Sequence, residues 1–336
     1  MNKPEKNEFI LKKPLKFFFK WRNFPLHELV SYILMYASIP MLAYGIRSYN
    51  FEIILIIIFS IISLYSGFFA ALIWNDLTDK DIDKIVHPTR PTASGKIGFW
   101  KFFGVALFFS ALTFISAIMI SIWCLGIVGL MALFVTFHDK YLKKKVKLPA
   151  YSEVFTPVQW ITVAIFGYIA IWSTSPRIGE YKLDIPYVGY ISFSAYALQN
   201  MVLLVLFTYF IDNAHDLPEG IHDVVGDKKL GVNTYAISFG VKNTAKISFI
   251  MFFISGILGI LLYFRTILSP IFLIPFICMW VYILYSSYKL ILSDGEEMKK
   301  MGVIVGRKGF DFFLMSYNLI FIDVFLQLIN YHYSII

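Results

Sequence analysis

The chain has 336 residues, of which 58% are hydrophobic, 18% aromatic and only 15% charged. A soluble domain is roughly 45–50% apolar and about 25% charged, and a soluble fold of this length could not bury the surplus. The composition excludes a disordered chain, a disulfide scaffold and most soluble enzymes, and makes lipid the solvent for much of the molecule.

Nine apolar runs approach the roughly 20 residues that one bilayer crossing needs. They lie at about 27–47, 50–74, 99–118, 121–138, 151–173, 187–211, 244–264, 268–288 and 310–330. The third and fourth are nearly continuous and divide near Ile120–Ser121, because the joined run is too long for one crossing. None shows the short alternating pattern of a membrane barrel strand. The expected fold is an all-α integral membrane protein, nine transmembrane helices bundled around a central cavity. Cys124 and Cys278 both sit in apolar runs and support no disulfide framework.

The formal charge of +8 would suggest nucleic acid in a soluble protein. Its placement says otherwise. Of 30 Lys and Arg, 26 fall in the N-terminal arm and in the segments after spans two, four, six and eight. The opposite side keeps only Arg47, Arg177, Lys182 and Arg265. This is the positive-inside pattern of a cytoplasmic N-terminus and an external C-terminus, and it fits an odd number of spans. No nucleic-acid partner is expected. Residues 1–26 read as a basic cytoplasmic arm and 27–336 as one membrane domain. The arm lacks the apolar core and small-residue cleavage site of a signal peptide. Its Lys and Phe suit an anionic lipid surface, and its simplest role is to fix orientation.

The acids gather in two segments on the basic side. The first runs from Trp74 to Ile97. If span two continues as a helix, Asp76, Asp79 and Asp83 fall at i, i+3 and i+7 and share a face, with Asn75 beside them and Asp81 off it. Hard oxygen ligands of this kind suit Mg²⁺ shared with substrate phosphates. A solvated loop pairing these acids with Lys80 and Lys84 is the simpler reading of such a motif taken alone. The second segment runs from Phe210 to Thr234. It offers two i, i+4 pairs, Asp212 with Asp216 and Asp223 with Asp227, while Pro218 and Gly220 are expected to interrupt any single helix through both. Lys228 and Lys229 follow and suit a diphosphate. His215 and His222 lack a nearby cysteine and any zinc spacing, so each reads as an interfacial histidine satisfied by carboxylate or water.

Two carboxylate clusters facing one cavity, flanked by Lys and Arg, make a diphosphate site. If the carbon bearing the diphosphate is allylic, its departure leaves a stabilised cation that aromatic faces can shield. The motifs N-D-x-x-D-x-x-x-D (Asn75, Asp76, Asp79, Asp83), R-P-x-x-S-G (Arg90 to Gly95) and D-x-x-G-D-K-x-x-G-x-x-T (Asp223 to Thr234) together resemble the UbiA superfamily of intramembrane prenyltransferases. The resemblance implies a Mg²⁺-dependent transfer of a prenyl group from a prenyl diphosphate to a lipophilic or aromatic acceptor, on the cytoplasmic side. It implies Asp76, Asp79, Asp83, Asp223 and Asp227 as metal-site and catalytic residues, with Asp212 and Asp216 as an extra pair. It implies Asn75, Arg90, Lys143, Lys144, Lys228 and Arg22 around the diphosphate. Only six residues separate Asp83 from Arg90. That short connection is similar to the digeranylgeranylglyceryl-phosphate and chlorophyll synthases of the family. The alternatives are a membrane terpene cyclase of the same superfamily and, from another class, a divalent-cation transporter. The second is disfavoured because Glu52 and Asp323, the main acids beside or within spans, lie far apart.

Overall fold

The computed structural model describes residues 24–78, 80, 90, 92–95, 97–142, 145–175 and 179–333. Helix α1 spans Leu26–Tyr44, α2 Phe51–Thr78, α3 Phe99–Ile120 and α4 Ile122–Phe137, the last continuing as a π-turn over His138–Leu142. A short α5, Tyr151–Phe155, precedes α6, Val158–Trp172. Strands β1, Tyr181–Ile185, and β2, Gly189–Phe193, pair antiparallel with Tyr181 opposite Phe193. Then come α7, Ala195–Leu230, α8, Tyr235–Phe239, α9, Val241–Arg265, α10, Pro270–Leu292, and α11, Gly295–Tyr333.

Among the described residues eight helical segments are long and apolar enough to cross a bilayer, and the 16-residue α4 is a shorter ninth apolar helix. The break between α3 and α4 falls where the sequence places it. Ser121 is extended, its Oγ accepts from the Cys124 amide at 3.2 Å, and Ser173 Oγ lies 2.8 Å away. A capped start satisfies donors that lipid could not.

Packing sorts the helices into two rings. The first is closed by α1, α2, α3, α4 and α6, the second by α7, α9, α10 and α11; α6 against α7 and α1 against α11 join them. One buried core crosses both, with Tyr36, Ile39 and Phe166 from the first ring continuous with Phe207, Phe276 and Phe313 from the second. The outer faces carry bare apolar side chains such as Phe108, Leu130 and Phe264. In water such a surface would associate, whereas in a bilayer it meets lipid tails.

Several expected boundaries are corrected. The run 187–211 opens as β2 of a hairpin, so its helix starts only at Ala195. The run 151–173 breaks at Thr156–Pro157, and 310–330 is the inner part of a 39-residue helix that starts at Gly295. Pro218 and Gly220 do not interrupt the second acidic segment: α7 runs through both for 36 residues. Pro218 has no N–H to offer the Ala214 carbonyl one turn back. Ser248 Oγ of α9 donates to that carbonyl instead, at 2.7 Å. Gly220 leaves the space that the Glu153 carboxylate fills; a Cβ there would sit 2.5 Å from Glu153 Oε1. Tertiary partners on both sides therefore repair what local propensity would break.

At about 1.5 Å per residue, α7 is about 54 Å long, against a hydrocarbon core of about 30 Å. Its C-terminal half, with the acids, must leave the hydrocarbon. The N-terminal half of α11 leaves on the same side and packs against it. A Cβ on Gly302 would lie 2.5 Å from the Pro218 carbonyl oxygen, and one on Gly309 would lie 2.6 Å from His215 Cβ. Only glycine lets the two helices approach so closely there.

Candidate active site

The roll of α2 is fixed by Trp74, whose Nε1 donates to Ser110 Oγ of α3 at 3.0 Å. Two residues on, Asp76 is fully buried. Arg90 Nη1 lies 3.4 Å from its Oδ1, and Thr92 Oγ1 donates to its backbone carbonyl at 2.9 Å. Arg90 and Thr92 thus lie over the end of α2. A buried carboxylate is costly unless a cation faces it, and Arg90 supplies one. Asn75 is half-buried beside it and Lys80 is still helical. Asp79 and Asp83 lie outside the described residues.

Because α7 is continuous, Asp212, Asp216, Glu219, Asp223 and Asp227 follow one another at spacings of four, three, four and four, and form one stripe along the helix. The stripe begins deep, reaches the surface at Glu219 and ends at half-buried Asp227. Asp212 and His215 are buried, Asp216 is half-buried and Asp223 is exposed. His215 holds the deep end together, with Nε2 3.0 Å from Asp212 Oδ1 and Nδ1 3.3 Å from Asp216 Oδ1. His222 sits 3.0 Å from Asp223 Oδ1. Each histidine thus has a carboxylate beside it, but among the described residues His215 Nδ1 makes no hydrogen bond, so only its Nε2 side is satisfied. Among the described residues Asp212 Oδ2 and Asn213 Oδ1 are buried with no hydrogen-bond partner. Oxygen acceptors left open in this way are the donor type that Mg²⁺ or its bound water takes. Among the described residues no three His, Cys, Asp or Glu side chains converge closely enough to hold a metal on their own. A metal here would need carboxylates from both segments and the phosphate oxygens of a substrate.

The end of α7 is tied to the basic loop that follows α4. Asn233 Nδ2 donates to the Val146 carbonyl at 3.4 Å, and Ser238 Oγ accepts from the Ala150 amide at 2.9 Å. Glu153, nearly buried, accepts from the Tyr235 amide. Burial, with Tyr209 and Glu153 nearby, pushes the Tyr235 phenol up to about 12, so it stays protonated at neutral pH. Lys145 and Lys147 are exposed on this loop; Lys143 and Lys144 lie outside the described residues, as does Arg22. Lys228 is exposed on the last turn of α7.

Beneath the acids is a column of rings. Phe313 of α11 lies 6.1 Å from His215 and 5.2 Å from Trp160, which stacks on Tyr32 at 5.8 Å. Tyr32 meets Phe68 at 4.7 Å, on the same helix as Asp76 and two turns deeper. Tyr32 also lies within electrostatic reach of both Asp212 and Glu28. The column therefore reaches from the α7 stripe to α2. Ring faces at this depth can shield a developing carbocation where water cannot.

Sequence reasoning missed three groups. Glu219 belongs to the α7 stripe, and its spacing signals this once Pro218 is not taken as a break. Glu28, buried on α1, pairs with Arg307 of α11, which is also 3.8 Å from Asp311. Nothing in the sequence connects residues 279 positions apart. Glu153 was likewise hidden, because its partners come from α7 and α8.

The UbiA prenyltransferase family model matches residues 32–313. That range covers most of the chain and both acidic segments. The chain belongs to the UbiA prenyltransferase family. It is a multi-pass integral membrane protein and a prenyltransferase. A digeranylgeranylglyceryl phosphate synthase of Methanococcoides burtonii is 26% identical over 246 residues, which are 73% of this chain and 78% of that one. A solved digeranylgeranylglyceryl phosphate synthase superposes with a TM-score of 0.61 at 19% identity, over 93% of this UbiA chain and 99% of that one. A UbiA homologue of Archaeoglobus fulgidus, solved with DMAPP and Mg²⁺, superposes with a TM-score of 0.52 at 12% identity, over 86% of this chain and 97% of that one.

Proposed function

We propose that this UbiA protein transfers a geranylgeranyl-sized prenyl group from its diphosphate to the glycerol hydroxyl of a prenylated glycerol phosphate, making an ether lipid. The name of its synthase relatives supports the product class. The observation that carries the reading is one aromatic column that links the helix of buried Asp76, held by Arg90, to the carboxylate stripe of α7. In this reading Asp76, Asp79 and Asp83 from one segment and Asp223 and Asp227 from the other hold Mg²⁺. Asp212 and Asp216 form the extra pair, held by His215, with Asp212 Oδ2 still open toward the metal. Bound Mg²⁺ supplies charge neutralisation that makes the diphosphate a better leaving group.

The protein's own residues do the rest. Asn75, Arg90, Lys143, Lys144, Lys228 and Arg22 grip and orient the diphosphate. The C–O bond breaks with its electron pair on the diphosphate. Tyr32, Phe68, Trp160 and Phe313 shield the allylic cation and exclude water, which would otherwise capture it. The acceptor hydroxyl then attacks the prenyl carbon, and its proton passes to the released diphosphate. The 26 basic residues on one side support a cytoplasmic N-terminal arm (1–26) and a cytoplasmic site. The shared core of the two rings supports reading 27–336 as one domain. The test is purified protein with prenyl diphosphates of several lengths and a panel of acceptors, with Mg²⁺ or chelator, read by mass spectrometry. A prenylated aromatic product in place of the ether lipid would overturn the acceptor assignment.

A further inference from the structure

Several basic side chains at the cytoplasmic rim proposed above are already engaged. Lys242 lies 2.6 Å from Asp294 and donates to the Ser293 carbonyl at 2.7 Å. Lys299 pairs with Glu296 at 2.6 Å, and Arg307 pairs with Glu28. Lys289 of α10 and Lys308 of α11 are different. Among the described residues neither pairs with a carboxylate. Lys289 Nζ instead sits 4.5 Å from the centre of the Tyr285 ring, and Lys308 Nζ sits 4.6 Å from that of Tyr282. Lys308 Nζ also donates to Ser286 Oγ at 3.4 Å.

These five side chains line one groove of about 680 Å³ between the outer faces of α10 and α11. Its one carboxylate, Glu297, is on the first turn of α11, so the two lysines leave the groove positive. Lys289 is in the last turn of a membrane-spanning helix, which is headgroup depth. Lysine stems reach along apolar surface to that level, and tyrosine favours it. Further along the same stripe of α10, Ile271, Ile274 and Cys278 are all exposed, as are Met315 and Ile322 on α11.

We propose that this groove binds the phosphate headgroup of an anionic membrane lipid, with the acyl chains lying along the apolar furrow below it. An ammonium over a ring face keeps N–H donors free on its far side. Two such donors and the neighbouring serine hydroxyl match the oxygens of one phosphodiester. The position on the outer wall of the second ring, away from the α7 stripe, makes this site separate from the prenyl-transfer site. A second protein chain fits less well, because a cleft with two lysines at headgroup depth opens onto lipid.

The test is native mass spectrometry of the full-length protein in detergent, with phosphatidylglycerol or phosphatidylcholine of matched chains, or inorganic phosphate alone. The wild type should retain phosphatidylglycerol at least about fivefold over phosphatidylcholine. The pair Lys289→Gln with Lys308→Gln should abolish that preference, and Lys289→Arg with Lys308→Arg should keep it. Prenyl transfer in detergent should be unchanged in both. Equal retention of the two lipids by the wild type, or a preference that survives the glutamine pair, would refute the site. Displacement of the lipid by millimolar inorganic phosphate would show a free-anion site and overturn the lipid assignment.

Discussion

Asp76 carries the heaviest constraint in the site, being fully buried and facing one guanidinium. Removing its charge leaves Arg90 facing a neutral group and takes away a carboxylate from the proposed metal site. Asp76→Asn should lower kcat by at least about 10³-fold, the scale seen when charge stabilisation in a transition state is lost. The protein should still insert and keep its detergent-solubilised Tm within a few degrees. Near-normal turnover would remove Asp76 from the chemistry. His215 gives a second residue-scale test. It supports Asp212 and Asp216 and touches no proposed diphosphate ligand. His215→Ala removes the hydrogen-bond partner of buried Asp212 and one neighbour of half-buried Asp216, so both Tm and activity should fall. Asp227→Asn should cost activity alone. A His215→Ala protein with unchanged Tm would contradict the supporting role.

Element by element, α7 is where sequence and structure part. The apolar runs, the division at Ser121 and the emergence of Asp76 at the end of a span were legible, because length and hydropathy are local properties. The single stripe of acids on α7 was not. Pro218 signals a break, and only Ser248 of a different helix removes the cost of the freed Ala214 carbonyl. The Glu28–Arg307 pair and the role of Glu153 were hidden for the same reason, since their partners come from other helices. The Ser248 repair is testable. Ser248→Ala should destabilise the protein by about 1–2 kcal/mol. Pro218→Ala restores the missing N–H and should make Ser248→Ala nearly silent. If the two effects simply add, the hydroxyl does not repair the helix. Gly302 is the matching test on α11. A Cβ there meets the Pro218 carbonyl, so Gly302→Ala should force α7 and α11 apart and cost about 1–3 kcal/mol.

Taken as a whole molecule, the fold divides its tasks between two rings. Each ring sends one acidic segment toward the same end, and the shared aromatic core lies between them. The extended halves of α7 and α11 lift the polar site out of the hydrocarbon while the rings below stay dry. That arrangement lets a charged headgroup and an isoprenoid tail be held at once, each in its own solvent. The most direct measurement is prenyl transfer by purified protein given geranylgeranyl diphosphate and geranylgeranylglyceryl phosphate. Mass spectrometry should show a digeranylgeranylglyceryl phosphate product with Mg²⁺, and none with chelator or in Asp76→Asn. Product formation that persists in chelator, or in Asp76→Asn at the wild-type rate, would contradict the account.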